Sequence, residues 1–130
     1  KAKIDILLVP CMQTDEIINK LKKHLRRKGY SDIKVNVHDC YPWAQTSVKE
    51  ECVQAMIRAY KQHGYEPEIW PRLAGSAPFY IFNQPPLNLP FVIGGLGHGG
   101  KMHSPNEYFV VEGIKNNEKS IATFLYEYAK

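Results

Sequence analysis

Cysteine is scarce and odd in number: Cys11, Cys40 and Cys52 are the three, with no Cys-x-x-Cys spacing. That argues against a disulfide framework and for a reduced, cytoplasmic protein, with the thiols serving as small core residues. No apolar run approaches the roughly 20 residues that a membrane span needs. No signal-type leader is visible, and the chain opens on Lys1-Ala2-Lys3 rather than Met, so its start is expected to be a cut. Repeats and low-complexity tracts are missing too. Neither sign of charge dominates: 17 basic and 13 acidic residues leave +4. Much of the excess sits in Lys20, Lys22, Lys23, Arg26, Arg27 and Lys28. No aromatic residues interleave with these cations, as a single-strand binder would want. The cluster is therefore read as the solvated face and C-terminal end of one helix. Neither a nucleic-acid nor a membrane partner is expected.

What is present suits a packed domain. Hydrophobic residues make up 44% and charged ones 23%, which argues against disorder. Residues 4–9 (IDILLV) form a short apolar run stopped by Pro10 and read as a strand. Thr14 is placed to cap a helix carrying Ile17, Ile18, Leu21 and Leu25 at helical spacing, closed by Gly29. Ile33, Val35 and Val37 alternate with polar residues, giving a second strand and a βαβ unit. Residues 41–46 read as a linker interrupted by Pro42. Ser47 and Glu50 then make a capping box for a helix whose buried stripe is Cys52, Ala55, Met56, Ala59 and Tyr60, ending at Gly64. Residues 66–70 read as a strand, 77–83 as a short helix with Pro78 in its first turn, and 91–96 (FVIGGL) as a buried strand. Residues 113–128 suit a terminal helix with Ile114, Ile121, Ala122, Leu125 and Tyr128 on its apolar face. Helix and strand alternate throughout, so the class is α/β.

The stretch 94–107 (GGLGHGGKMHSPNE) is where chemistry concentrates. It follows a predicted strand, and ligands of open α/β sheets sit beyond the carboxyl ends of strands. Five glycines and two histidines in one loop are hard to explain as packing. Histidine offers a neutral imidazole to a metal or shuttles a proton near neutral pH. His103, with His98 or Glu107, is a local ligand candidate. A catalytic zinc needs about three protein ligands and a water, and no second cluster completes that shell. His24, His38 and His63 read as surface or interface histidines. The glycine spacing is a weak dinucleotide signal, since no conforming βαβ unit follows.

Two segments carry a family resemblance. HSPNEY (103–108), behind its glycine-rich approach, and RLAGSAP (72–78) occur in the order of the last conserved blocks of the co-catalytic zinc metallopeptidases. These are the enzymes of the acetylornithine deacetylase, succinyl-diaminopimelate desuccinylase and carboxypeptidase G type. The resemblance implies that His103 is a ligand of one of two zinc ions, with cobalt able to substitute. It places Glu107 behind the ligands, orienting the loop. It gives Arg72, Gly75 and Ser76 the substrate's carboxylate, which suits a bidentate guanidinium beside free backbone N–H groups at a helix start. Ala77 stands where the family commonly has Ile. Residues 1–10 resemble a lid strand, with Leu7 or Leu8 where an Arg is usual.

On this resemblance, residues 1–46 are the second half of a βαββαβ (ferredoxin-like) lid or dimerisation domain. Residues 47–130 are the C-terminal part of the catalytic domain. The implied whole is a zinc-dependent hydrolase cleaving amide bonds of N-acyl amino acids or small peptides with a free carboxylate. The family's early His-x-Asp segment, bridging Asp and Glu-Glu pair, which supplies the general base, are not found here. No catalytic residue is therefore assigned, and the chain alone is expected to be inactive. A lid lacking its first strand leaves a slot beside residues 4–9 and 33–37, so homodimerisation through the lid is expected. The competing reading is a non-catalytic self-association or small-ligand module.

Overall fold

A computed structural model describes residues 1–73 and 75–130. The chain divides into two units, Lys1–Gln45 with Leu73–Leu89, and Thr46–Arg72 with Pro90–Lys130.

The first unit contains α1 (Thr14–Arg27) and α3 (Tyr80–Asn83). Ile17, Ile18, Leu21 and Leu25 form the half-buried stripe of α1, and the lysines face water. Asp15 and Glu16 lie in its first turn, and His24, Arg26 and Arg27 in its last, each sign at the helix end that favours it. The helix opens on Gln13 without a side-chain cap, so Thr14 lies inside it rather than capping it. It closes as expected at Gly29, whose φ of 85° is costly for other residues. There Gly29 N–H donates to the Arg26 carbonyl and Tyr30 N–H to the Leu25 carbonyl, both at 3.0 Å.

Residues 4–9 and 33–37 depart from expectation. Neither belongs to a ladder among the described residues, and Ile4, Ile6, Leu7, Ile33 and Val37 are exposed. Side-chain alternation records which face a strand would bury. It does not record whether another strand lies within hydrogen-bonding reach. α3 is shorter than expected: Pro78 precedes it instead of sitting in its first turn. Asn83 Nδ2 donates to the Gln45 carbonyl at 2.7 Å and Gln84 Nε2 to the Trp43 carbonyl at 3.2 Å. Most of the segment read as a linker is thus fastened to α3.

The second unit pairs α2 (Glu51–Gln62) with α4 (Val111–Tyr128). Ser47 does not cap α2. Its hydroxyl takes the Lys49 N–H at 3.2 Å and its carbonyl the Glu50 N–H at 3.1 Å, a turn that delays the helix start to Glu51. Cys52, Ala55 and Ala59 are buried as expected, and burial pushes the Cys52 thiol up from its ordinary value. α4 turns an unexpected face inward. Gly113, Ser120 and Glu127, spaced two turns apart, are buried, while Ile114, Ile121, Leu125 and Tyr128 are exposed. Gly113 packs against the Gly97 and His98 backbone, Ser120 Oγ takes the Leu96 N–H, and Glu127 meets Arg58 and Gln62 of α2, so close backbone approach and hydrogen bonding rather than apolar bulk select this face.

Residues 66–70 and 91–96 also lack strand partners among the described residues. Side chains fix the second stretch instead. The Tyr60 hydroxyl donates to the Gly95 carbonyl and accepts the Gly95 N–H, both at 2.8 Å. Ser120 Oγ accepts the Leu96 N–H at 3.2 Å, and Thr46 Oγ1 the Phe91 N–H at 3.1 Å. The ladder that does form is a short antiparallel pair, β1 (Gly99–Gly100) with β2 (Tyr108–Phe109).

Candidate functional site

The loop 101–107 hangs between β1 and β2. Gly99 pairs with Phe109 and Gly100 with Tyr108, and Val110 N–H donates to the His98 carbonyl at 2.8 Å. The His98 ring meets Tyr108 edge-on, with centroids 6.2 Å apart. His98 thus helps to close the hairpin that presents the loop.

Packing explains more of the glycine run than expected. A Cβ on Gly99 would meet the Tyr108 carbonyl at 2.8 Å, and one on Gly97 would meet the Gly113 carbonyl at 3.1 Å. A Cβ on Gly113 would lie 2.9 Å from the His98 nitrogen. All three obstacles are backbone atoms, which cannot swing aside. Glycines at 97 and 113 therefore set the hairpin directly on the first turn of α4. Beside them a shallow groove of about 410 Å³ opens among Ile93, Gly95, His98, Phe109, Ile114 and Asn117.

His103 stands near the middle of the loop, exposed, at φ 58°. Lys101 and Asn106 share that left-handed conformation at 60° and 63°. Each costs a non-glycine residue about 1 kcal/mol or more. Ser104 steadies the turn, donating both its N–H (3.0 Å) and its hydroxyl (2.7 Å) to the Lys101 carbonyl. Glu107 is exposed and has no hydrogen bond or ion pair among the described residues. Among those residues no three of His, Cys, Asp or Glu group closely enough to hold a metal. His103 and Glu107 therefore do not form a zinc site by themselves.

The second block divides between the units. Arg72 falls in one, and Gly75 and Ser76 in the other. Arg72 is exposed and has no ion pair or hydrogen bond among the described residues. Ala74 lies outside them. Gly75 and Ser76 do not open a helix, because α3 begins only at Tyr80. The anion-binding amides of a helix start are thus not available at this pair. Ser76 instead shares a hydrogen bond with the Tyr41 hydroxyl at 2.5 Å.

Sequence reading missed two constellations. One is Tyr41 with Ser76. The other is the polar clamp between α2 and α4. Arg58 Nε donates to Glu127 Oε2 at 3.0 Å, and Arg58 Nη2 reaches the Glu127 carbonyl at 3.1 Å and Glu51 Oε1 at 2.5 Å. Gln62 at 2.6 Å and Lys130 at 2.5 Å both donate to Glu127 Oε1. Lys130 first, then Gln62 and Arg58, hold the Glu127 carboxyl down to about 2. The two carboxylates in turn raise Arg58 above its ordinary value. His63 Nε2 lies 2.9 Å from Thr123 Oγ1 in the same interface, so it is an interface histidine. Nothing in the spacing of Arg58, Gln62, Glu127 and Lys130 along the sequence signals the clamp.

Residues 3–127 match peptidase family M20/M25/M40, and the chain belongs to that family. Its α/β fold is similar to that of Sso-CP2, an M20 family metallo-carboxypeptidase from Sulfolobus solfataricus. The TM-score is 0.72 at 31% identity, over 93% of this chain and 28% of that one. The chain thus spans little more than a quarter of that structure's length. No curated protein matches it.

Proposed function

We propose that this chain is the C-terminal part of a metal-dependent hydrolase that cleaves amide bonds of N-acyl amino acids or small peptides with a free carboxylate. The observation that carries this reading is the family match over residues 3–127, which contain both RLAGSAP and HSPNEY. In the proposed division of labour, His103 contributes one ligand to a two-zinc centre and Glu107 orients its loop. Arg72, Gly75 and Ser76 take the substrate's carboxylate. The likeness to a metallo-carboxypeptidase supports a substrate with a free carboxylate. Residues 1–46 would belong to a lid and 47–130 to the catalytic domain. The proposed setting is the cytoplasm, where the exposed thiols of Cys11 and Cys40 stay reduced.

Two experiments test this. Zinc titrated into the purified chain by calorimetry is expected to bind weakly or not at all, with no turnover of N-acyl amino acids or dipeptides. Tight binding with turnover would show a complete site within these residues. In an enzyme that carries this segment, Arg72→Ala is expected to raise KM for carboxylate substrates about tenfold or more, as loss of a charge-assisted hydrogen bond implies. The corresponding amides should change far less. Equal effects on both would remove Arg72 from the carboxylate site.

A second reading, a non-catalytic module that self-associates, draws support from the unpaired apolar segments 4–9 and 33–37. It predicts a function that survives His103→Ala.

A further inference from the structure

We propose that Tyr41 is a positioning residue for carboxylate binding, holding the Ser76 hydroxyl with its proton turned outward toward the anion. The proposal rests on the reading of Gly75 and Ser76 as part of the carboxylate site.

The geometry begins in the sequence. Pro42 follows Tyr41 and restricts its backbone to extended conformations, so the ring leaves the chain in a narrow range of directions. The ring is then pinned by stacking on Tyr80 of α3, with centroids 5.8 Å apart and planes 20° from parallel. Asn83 and Gln84 anchor the chain just beyond it, at Gln45 and Trp43. Tyr41 is thus held at its ring and close to its backbone, whereas Ser76 lies in an exposed stretch outside any helix. The 2.5 Å bond joins residues 35 apart and ties that stretch to a fixed point.

The direction of the bond decides what Ser76 can do. Each hydroxyl has one proton and two acceptor lone pairs. A phenol is more acidic than an aliphatic alcohol, so Tyr41 is the better donor and Ser76 the better acceptor. With Tyr41 donating, Ser76 keeps its own proton, and no acceptor among the described residues takes it. Accepting one hydrogen bond also polarises an O–H and strengthens it as a donor. A substrate carboxylate is the acceptor this arrangement fits.

The test is a two-dimensional amide NMR titration of the full chain with N-acetylglycine and, separately, N-acetylglycinamide. Wild type is expected to prefer the acid. Ser76→Ala and Tyr41→Phe are each expected to weaken the acid three- to tenfold while leaving the amide unchanged. The double variant should be no weaker than either single one, because both remove one coupled unit. Ser76→Thr, which keeps the hydroxyl, should keep the preference. Tyr41→Phe retains the ring on Tyr80, so the α3 amide signals should stay in place. If wild type shows no preference, or Ser76→Ala changes nothing, the carboxylate reading of this block fails and the inference fails with it. If Ser76→Ala weakens the acid but Tyr41→Phe does not, the role of Tyr41 alone is overturned. The same holds if Tyr41→Phe weakens acid and amide alike, or if the two effects simply add.

Discussion

Glu127 is 2% exposed yet carries a charge, and three side chains converge on it to make that tolerable. Its carboxyl is held down to about 2 from an ordinary 4.5. A depressed acid stabilises the fold above its unfolded value, and that contribution is lost as pH falls through the folded one. The window therefore runs from about 4.5 down to about 2. Acid unfolding followed by circular dichroism is expected to steepen there. Glu127→Gln should lower stability at neutral pH and flatten this part of the curve; an unchanged acid profile would remove Glu127 from the clamp. Little at this scale was legible beforehand. Sequence patterns rank residues by apolarity and period, and they do not join Arg58 to Glu127 or Tyr41 to Ser76 across dozens of positions.

Helices were legible as elements where their ends carry backbone chemistry. The left-handed closures at Gly29 and Gly64 fall where glycine was read as a stop, because few other residues take that conformation cheaply. The N-termini were less legible: Ser47 closes a turn of its own instead of capping, and Thr14 lies inside α1 behind Gln13. α4 was recognised as a helix but with the wrong face inward, since apolar spacing cannot say that its buried face meets the 96–98 backbone and the Arg58 and Gln62 side chains. This inversion has a measurable consequence. Ala59→Leu, at a fully buried position, is expected to cost about 1–3 kcal/mol by overpacking. Leu125→Ala, at a position 58% exposed, should stay within about 0.5 kcal/mol. Urea denaturation of both variants measures the contrast, and a large loss at Leu125 would show that its face is covered in solution.

Over the whole molecule, the strands were the least legible part. Residues 4–9, 33–37, 66–70 and 91–96 have strand-like composition, but a ladder needs a partner at the right distance, and none of them has one among the described residues. The loop presenting His103 was legible in outline as a glycine-rich connection. Its flanking glycines serve close backbone packing. Unpaired apolar edges favour association. Light scattering at high concentration is expected to give a mass above the 14.9 kDa of one chain, and a strictly monomeric species would count against pairing through these segments. The first of them has a further bearing on handling and storage. IDILLV is a six-residue stretch without proline or glycine, in no ladder among the described residues and with several of its aliphatic side chains facing water. Such hexapeptides stack into steric zippers. Lys1, Lys3 and Pro10 flank it as gatekeepers against that outcome, so trimming the three leading residues should shorten the lag before thioflavin-positive fibrils appear.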